Sequence, residues 1–274
     1  MKNRLRQIIP GLAAAIAILG FSVPADAHRA WMLPSATVLS GNESWVTVDA
    51  AVSNDLFYFE HFPMRLDGIV AFAPDGSAVK LENASTGRYR STFDVHLTQQ
   101  GTYKIANVND GLFASYKVDG KPKRFRGDAA ALAKEVPANA QELKVSEVQS
   151  RNEVFVTLGN PTDTVLKPSG KGLELAPVTH PDDMVVGEPA TLGFLLDGKP
   201  AANVKVTIVP GGIRYRNQLN QMDLTTDAKG QISVNWPTPG MYWLEAQVRD
   251  DKTSVPQAKE RRSTYIAVLE IMGQ

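Results

Sequence analysis

From residue 28 onward the chain alternates between apolar and polar positions over short stretches, and this pattern predicts β structure. Trp45-Val46-Thr47-Val48-Asp49-Ala50 alternates after the breaker pair Gly41-Asn42. Ile69-Val70-Ala71-Phe72 runs into Pro74-Asp75-Gly76, where proline presets φ and glycine admits a positive φ. Residues 89–97 and 102–108 read as strands around Gln99-Gln100-Gly101, and residues 145–159 return to strand pattern through Val154-Phe155-Val156. Residues 191–196, 204–209, 231–236, 241–248 and 264–271 are the later strands, with turns at Gly198-Lys199-Pro200 and Asp227-Ala228-Lys229-Gly230. Two segments break the pattern. Residues 54–65 crowd Asp55, Phe57, Tyr58, Phe59, Glu60, His61 and Pro63 together, too many aromatics and breakers for a strand, and predict a packed loop. Residues 128–136 (DAAALAKEV) predict one short helix capped by Asp128.

Many short strands at regular turn spacing favour a sandwich over a barrel, which needs longer continuous strands. Residues 160–172, with Pro161, Pro168, Gly170 and Gly172, make the best linker. The expected fold is therefore all-β: two immunoglobulin-like β-sandwich domains in tandem, residues 28–165 and 170–274, with the helix an excursion from the first. A weak internal echo agrees. Residues 93–103 align without gaps on residues 232–242, each an alternating strand, a turn ending in glycine (Gly101, Gly240) and a tyrosine two residues later (Tyr103, Tyr242).

The first 27 residues have a different character. Lys2, Arg4 and Arg6 precede an apolar run over residues 8–21, and small residues follow at Ala25 and Ala27. The run is short and ends in an A-x-A pattern, which predicts a cleaved signal peptide rather than a membrane anchor, and a periplasmic product. No later segment is apolar for long enough to insert in a bilayer. The chain has 29 basic and 29 acidic residues; without Lys2, Arg4, Arg6 and Asp26 it has 26 against 28. That balance gives no support for nucleic-acid binding. With no cysteine there are no disulfides, no thiolate nucleophile and no thiolate metal site.

Candidate chemistry rests on four histidines: His28, His61, His96 and His180. Cleavage after Ala27 would make His28 the first residue, placing a free α-amine beside its imidazole. Both nitrogens lose their protons at mild pH, and together they close a chelate suited to Cu(II) or Ni(II). Cleavage after Ala25 would instead put His28 third, where it can join the amine and two backbone amides. His61, in the aromatic loop, is the first candidate for a further ligand, and His180, before Pro181-Asp182-Asp183, is a third only if the two halves pack closely. His96 alternates with Phe93, Val95 and Leu97, which places it on a solvated face beside Asp94. Asp182-Asp183 and Asp250-Asp251 read as solvated turns. Pro210-Gly211-Gly212 followed by Arg214, Tyr215 and Arg216 could hold an anion, although a glycine turn beside a solvated basic pair is the better explanation. Trp236 shares a face with Ile232 and Val234 and reads as core. No G-x-S-x-G, P-loop or H-E-x-x-H motif occurs, so no catalytic residue is assigned and no enzyme is expected.

The chain resembles a bacterial exported family of unsettled function, described as the periplasmic component of cobalt/nickel-type uptake systems. The resemblance is carried by His28-Arg29-Ala30-Trp31-Met32-Leu33-Pro34, by residues 54–68, by Leu173-Glu174-Leu175-Ala176-Pro177-Val178-Thr179-His180-Pro181, by residues 187–200, and by residues 226–243. Some metal-binding relatives look as though they start with several histidines; here Arg29 and Ala30 follow His28. The resemblance implies a divalent transition metal (nickel or cobalt, with copper or iron as alternatives) and delivery to a membrane transporter or receptor. Two other readings remain open: a metal-free module binding a protein or glycan, and a copper oxidoreductase built on a terminal-histidine chelate.

Overall fold

The structure is a computed structural model that describes residues 28–274; the expected signal peptide, residues 1–27, lies outside the described residues. In chain order the strands are β1 (Arg29–Pro34), β2 (Val38–Leu39), β3 (Ser44–Ser53), β4 (Phe62–Pro63), β5 (Ile69–Phe72), β6 (Ala78–Val79), β7 (Leu81–Thr86), β8 (Ser91–Leu97), β9 (Gly101–Val118) and β10 (Lys121–Gly127). After helix α1 (Ala129–Glu135) come β11 (Gln141–Leu158), β12 (Leu173–Leu175), β13 (Pro189–Leu196), β14 (Lys199–Pro200), β15 (Lys205–Pro210), β16 (Met222–Thr225), β17 (Gln231–Asn235), β18 (Gly240–Asp250) and β19 (Glu260–Ile271). The helix forms where its cap predicts, with the Asp128 carboxylate accepting the Ala131 N–H at 2.7 Å.

The all-β sandwich fold is present, and its two cores share one sheet. A central ten-stranded sheet runs in the order β16-β15-β18-β19-β11-β9-β5-β6, with β10 on β9 and β2 on β11. Its two halves meet where β11 and β19 pair in parallel, Ser146 opposite Glu260 through Val154 opposite Val268. On one face lies the sheet β1-β3-β8-β7, and Val48, Phe93, Val95, Ile105, Val156 and Val268 join in one core. On the other face lies the small sheet of β12, β13, β14 and β17, whose Leu192, Phe194 and Val234 meet Leu244, Tyr265 and Ala267. Strict alternation on β19 sends Ile266 and Val268 to the first core and Tyr265, Ala267 and Leu269 to the second. A strand covered on both faces reads as a continuous apolar run, which is why Val154-Phe155-Val156 and residues 265–269 are buried throughout.

The sequence echo has a structural counterpart. Tyr103 Oη accepts the Gln99 N–H at 2.7 Å and donates to the Gln99 carbonyl at 3.1 Å. Tyr242 Oη donates to the Thr238 carbonyl at 2.8 Å, also four residues upstream. The preceding Gly101 and Gly240 share an unusual backbone, φ 125° and 127°. A buried tyrosine that ties its hydroxyl to the backbone just upstream is a recurrent corner of immunoglobulin-like sandwiches.

Residues 160–172 hold the halves together. Thr162 exchanges two hydrogen bonds with Thr102, backbone N–H to hydroxyl in each direction, at 3.0 and 2.9 Å. Val165 is buried. The Glu174 carboxylate accepts the Ser169, Gly170 and Lys171 N–H groups and the Ser169 hydroxyl, and meets Arg151 of β11 at 3.3 Å.

Candidate functional site

His28 and His61 come together because of how three strands end. β1 and β4 flank β3 on opposite edges, with Ala30 and Phe62 both opposite Val52 and both strands antiparallel to β3. The residues just before β1 and β4 therefore sit at the same end of the sheet, beyond the point where β3 runs out at Ser53. The loop is folded back on itself by Glu60, whose Oε1 accepts the Asn54 and Asp55 N–H groups at 2.8 and 2.9 Å. Arg29 Nη1 donates to the Asn54 carbonyl at 3.1 Å and anchors the start of β1 to the same turn. The aromatics of the loop, Phe57 and Phe59, pack on the fully buried Trp31 at 5.5 and 5.6 Å between ring centroids. This is the packed loop expected of residues 54–65, except that Phe62–Pro63 add the short strand β4 to the edge of β3.

The outcome is a stacked pair of imidazoles. The His28 and His61 rings lie 3.7 Å apart, centroid to centroid, with planes 15° from parallel, and Phe62 closes one side at 4.6 Å from His61. Both histidines are exposed. Among the described residues no three His, Asp or Glu side chains converge as a ready-made metal cage.

His180 sits elsewhere, with both ring nitrogens engaged. It contacts Thr102 of β9, which is bonded to Thr157 of β11; both side chains alternate away from Tyr103 and Val156 of the first core. His180 thus faces the opposite side of the central sheet from β1. Its hydrogen bonds close a ring. The Asp182 N–H donates to Nδ1 at 3.1 Å, so the neutral imidazole carries its proton on Nε2 and donates to Thr102 Oγ1 at 3.0 Å. Thr102 donates to Thr157 Oγ1 at 3.0 Å, and Thr157 donates to Asp182 Oδ2 at 2.7 Å. Burial lowers the His180 pKa, opposed by a backbone hydrogen bond at Thr162 and by the Asp163 and Asp183 charges. Burial pushes the Asp182 carboxyl up to about 7, the Thr157 hydrogen bond opposing and Glu270 reinforcing the rise. The solvated turn expected at Asp182-Asp183 is therefore an enclosed, hydrogen-bonded carboxyl at its first position. Nothing in the sequence flanking Asp182 signals its threonine partners, which are 25 or more residues away in the chain.

The remaining candidates resolve into structural roles. His96 stacks on Trp45 at 4.1 Å, with Nε2 3.5 Å from Glu43. Arg216 donates to the carbonyls of Pro210, Gly211, Gln218 and Leu219, so its guanidinium closes the glycine turn. Arg214 lies over the Tyr58 ring at 3.8 Å. Trp236 is buried at 2 % exposure beside Ile232 and Val234. Asp250 accepts two hydrogen bonds from Arg261, which hold its carboxyl below the usual carboxylate range.

Comparison with known proteins adds a family. No curated protein matches. Among solved structures, the D0-D1 domain of intimin is similar at 12% identity with a TM-score of 0.22, over 88% of this chain and 97% of that one. The two tandem V-type regions of VCBP3, a v-region-containing chitin binding protein, are similar at 11% identity with a TM-score of 0.18, over 87% and 98% of the two chains. Residues 25–250 match a domain of unknown function, DUF4198. A match over that much of its length means that the chain belongs to the DUF4198 family, whose function is unsettled.

Proposed function

We propose that this chain is an exported periplasmic protein that binds a divalent transition metal, nickel, cobalt or copper, at His28 and His61 and delivers it to a membrane transporter or receptor. The observation that carries the reading is the pair of exposed imidazoles 3.7 Å apart at the start of the expected mature chain. Imidazole nitrogens bind such metals at about 2.0–2.1 Å, so two on one ion lie roughly 3–4 Å apart. The ring centroids, 3.7 Å apart, are close enough for one nitrogen of each ring to come within that range. Both rings are exposed, so rotation about their side-chain bonds can aim one nitrogen of each at a common ion. The His28 α-amine completes a three-nitrogen set of the kind that Cu(II) and Ni(II) favour. An open site of neutral nitrogens, without thiolates, suits exchange better than permanent storage.

Mass spectrometry of the exported protein fixes its N-terminus, and calorimetric titration of that form with Ni(II), Co(II), Cu(II) and Zn(II) tests binding. Substituting His28→Ala or His61→Ala should weaken binding of the preferred metal by about tenfold or more, since losing even a partner that only orients a ligand costs about 10–100-fold. One glycine added before His28 should weaken it as well, and His96→Ala should not. Equal affinity across all four forms would refute the proposal.

A further inference from the structure

The basic cluster of β10 is not used by the histidine pair, and it belongs to a larger feature. Beyond the edge of the sheet β1-β3-β8-β7, the central sheet continues with that face uncovered. Three adjoining depressions of about 290, 380 and 480 Å3 lie there, joined through Phe113, Arg262, Ser115 and Lys144. Eight lysines or arginines line them against two glutamates. The expected mature chain has 26 basic and 28 acidic residues, so this groove concentrates positive charge on an otherwise acidic protein. Both glutamates are already used, Glu142 by Lys117 and Glu260 by Arg262. The other six cations make no contact ion pair among the described residues, although Arg249 is near enough to Glu260 to help Arg262 hold that carboxyl below the usual range; Arg124, Arg126, Lys144 and Arg249 are exposed.

Strand register brings these cations face to face. Arg249 of β18 stands directly opposite Arg262 of β19. Like charges facing each other across a strand pair are destabilising. Arg126 stands opposite Phe113, and Arg124 opposite Ser115, which itself faces Lys144 on β11. Guanidinium and ammonium groups thus converge from four strands around the half-buried Phe113 ring.

We propose that this groove is a docking surface for an acidic, extended polypeptide segment of a partner protein. The excess charge selects an anionic partner, since complementary charge steers association and rejects like-charged partners. The shape selects a chain segment over a membrane. The cations line depressions, where successive carboxylates of an extended segment can reach them and a planar array of lipid headgroups cannot. Phe113 supplies an apolar floor for one side chain of the segment. The proposal is independent of metal binding at the histidine pair.

The test uses the mature chain in EDTA, a fluorescein-labelled oligo-glutamate peptide read by anisotropy, and phosphatidylglycerol vesicles read by sedimentation. The peptide should bind and weaken as salt rises. The double variant Arg124→Glu, Arg126→Glu should weaken it by about tenfold or more, whereas Lys80→Glu, Lys199→Glu, an equal charge change on exposed residues elsewhere, should not. Circular dichroism melting checks that both variants stay folded, and Arg249→Gln, which also relieves the Arg249–Arg262 opposition, provides a second groove variant. No peptide binding, equal loss in the control variant, or binding to vesicles without binding to peptide would each overturn the proposal.

Discussion

Replacing Asp182 by asparagine should make the protein's stability less dependent on pH, in a direction that the burial of this carboxyl dictates. The Asp182 carboxyl titrates at about 7 in the folded chain against an ordinary value of 3.8. Its folded pKa is raised, so between these values the native state holds a proton that the unfolded chain releases, and stability falls as pH rises. Above about pH 7 the native carboxylate is charged and the full burial penalty is present; below about pH 4 the penalty is gone. Asparagine keeps the acceptor for the Thr157 hydroxyl, now at 2.7 Å from Oδ2, and leaves the backbone N–H bond to His180 untouched. The parent should therefore gain about 3 kcal/mol relative to the variant between about pH 8 and pH 5, from about 1.4 kcal/mol per pKa unit. At roughly 2–4 °C per kcal/mol for a chain of this size, the difference between their melting temperatures should change by about 6–12 °C. His180 works in the opposite direction in the parent: its lowered pKa costs stability as pH falls through the ordinary histidine value of 6.5. Because the Asp182→Asn variant retains His180, that contribution cancels in the comparison. Thermal melts of both proteins at half-unit pH steps provide the measurement. A melting-temperature difference that stays constant from about pH 5 to pH 8 would refute the enclosed-carboxyl reading.

Two further substitutions test what joins the sheets. Glu174→Ala strips four donors around Ser169-Gly170-Lys171 of their acceptor and leaves the Arg151 guanidinium without that partner; breaking such a buried arrangement costs about 3–5 kcal/mol, so chemical denaturation should show a midpoint loss of that size with an unchanged slope. Tyr103→Phe and Tyr242→Phe each remove a hydroxyl bonded to the backbone four residues upstream, and each should cost about 1 kcal/mol; a difference of several kcal/mol between them would show that the two corners are not equivalent.

The alternating strands, the capped helix and the aromatic loop were legible because their causes are local. Asp128 caps a helix within three residues of itself, and Phe93, Val95 and Leu97 share a face by period alone. The echo was legible for the same reason, since Gly101 and Tyr103 repeat at Gly240 and Tyr242 within one short window. The shared central sheet was not. It depends on β11 pairing with β19 across more than a hundred residues, and a parallel pair has no hairpin turn to announce it. The one available trace was the continuous burial implied by Val154-Phe155-Val156 and residues 265–269, which period-two reading treats as an ordinary strand. Residues 160–172 are a connection, as their prolines and glycines predict, but their local sequence does not show that the segment is tied down at both ends, by Glu174 and by Thr102.

Strand parity also sorts the histidines. A central sheet covered on both faces divides the molecule, and alternation then decides which side each group serves. Thr102 and Thr157 face the small sheet, so His180, bound to Thr102, belongs there with Asp182 as part of the clasp between halves. His28 and His61 belong to the other side, where β1 and β4 end together and no strand covers the imidazoles. A site joining His180 to His28 and His61 would need ligands from both faces of a packed sheet, so under the proposed metal reading His180 is not the third ligand. On the proposed reading, the position of the signal cut would therefore matter more to coordination at this end of the fold than His180 does.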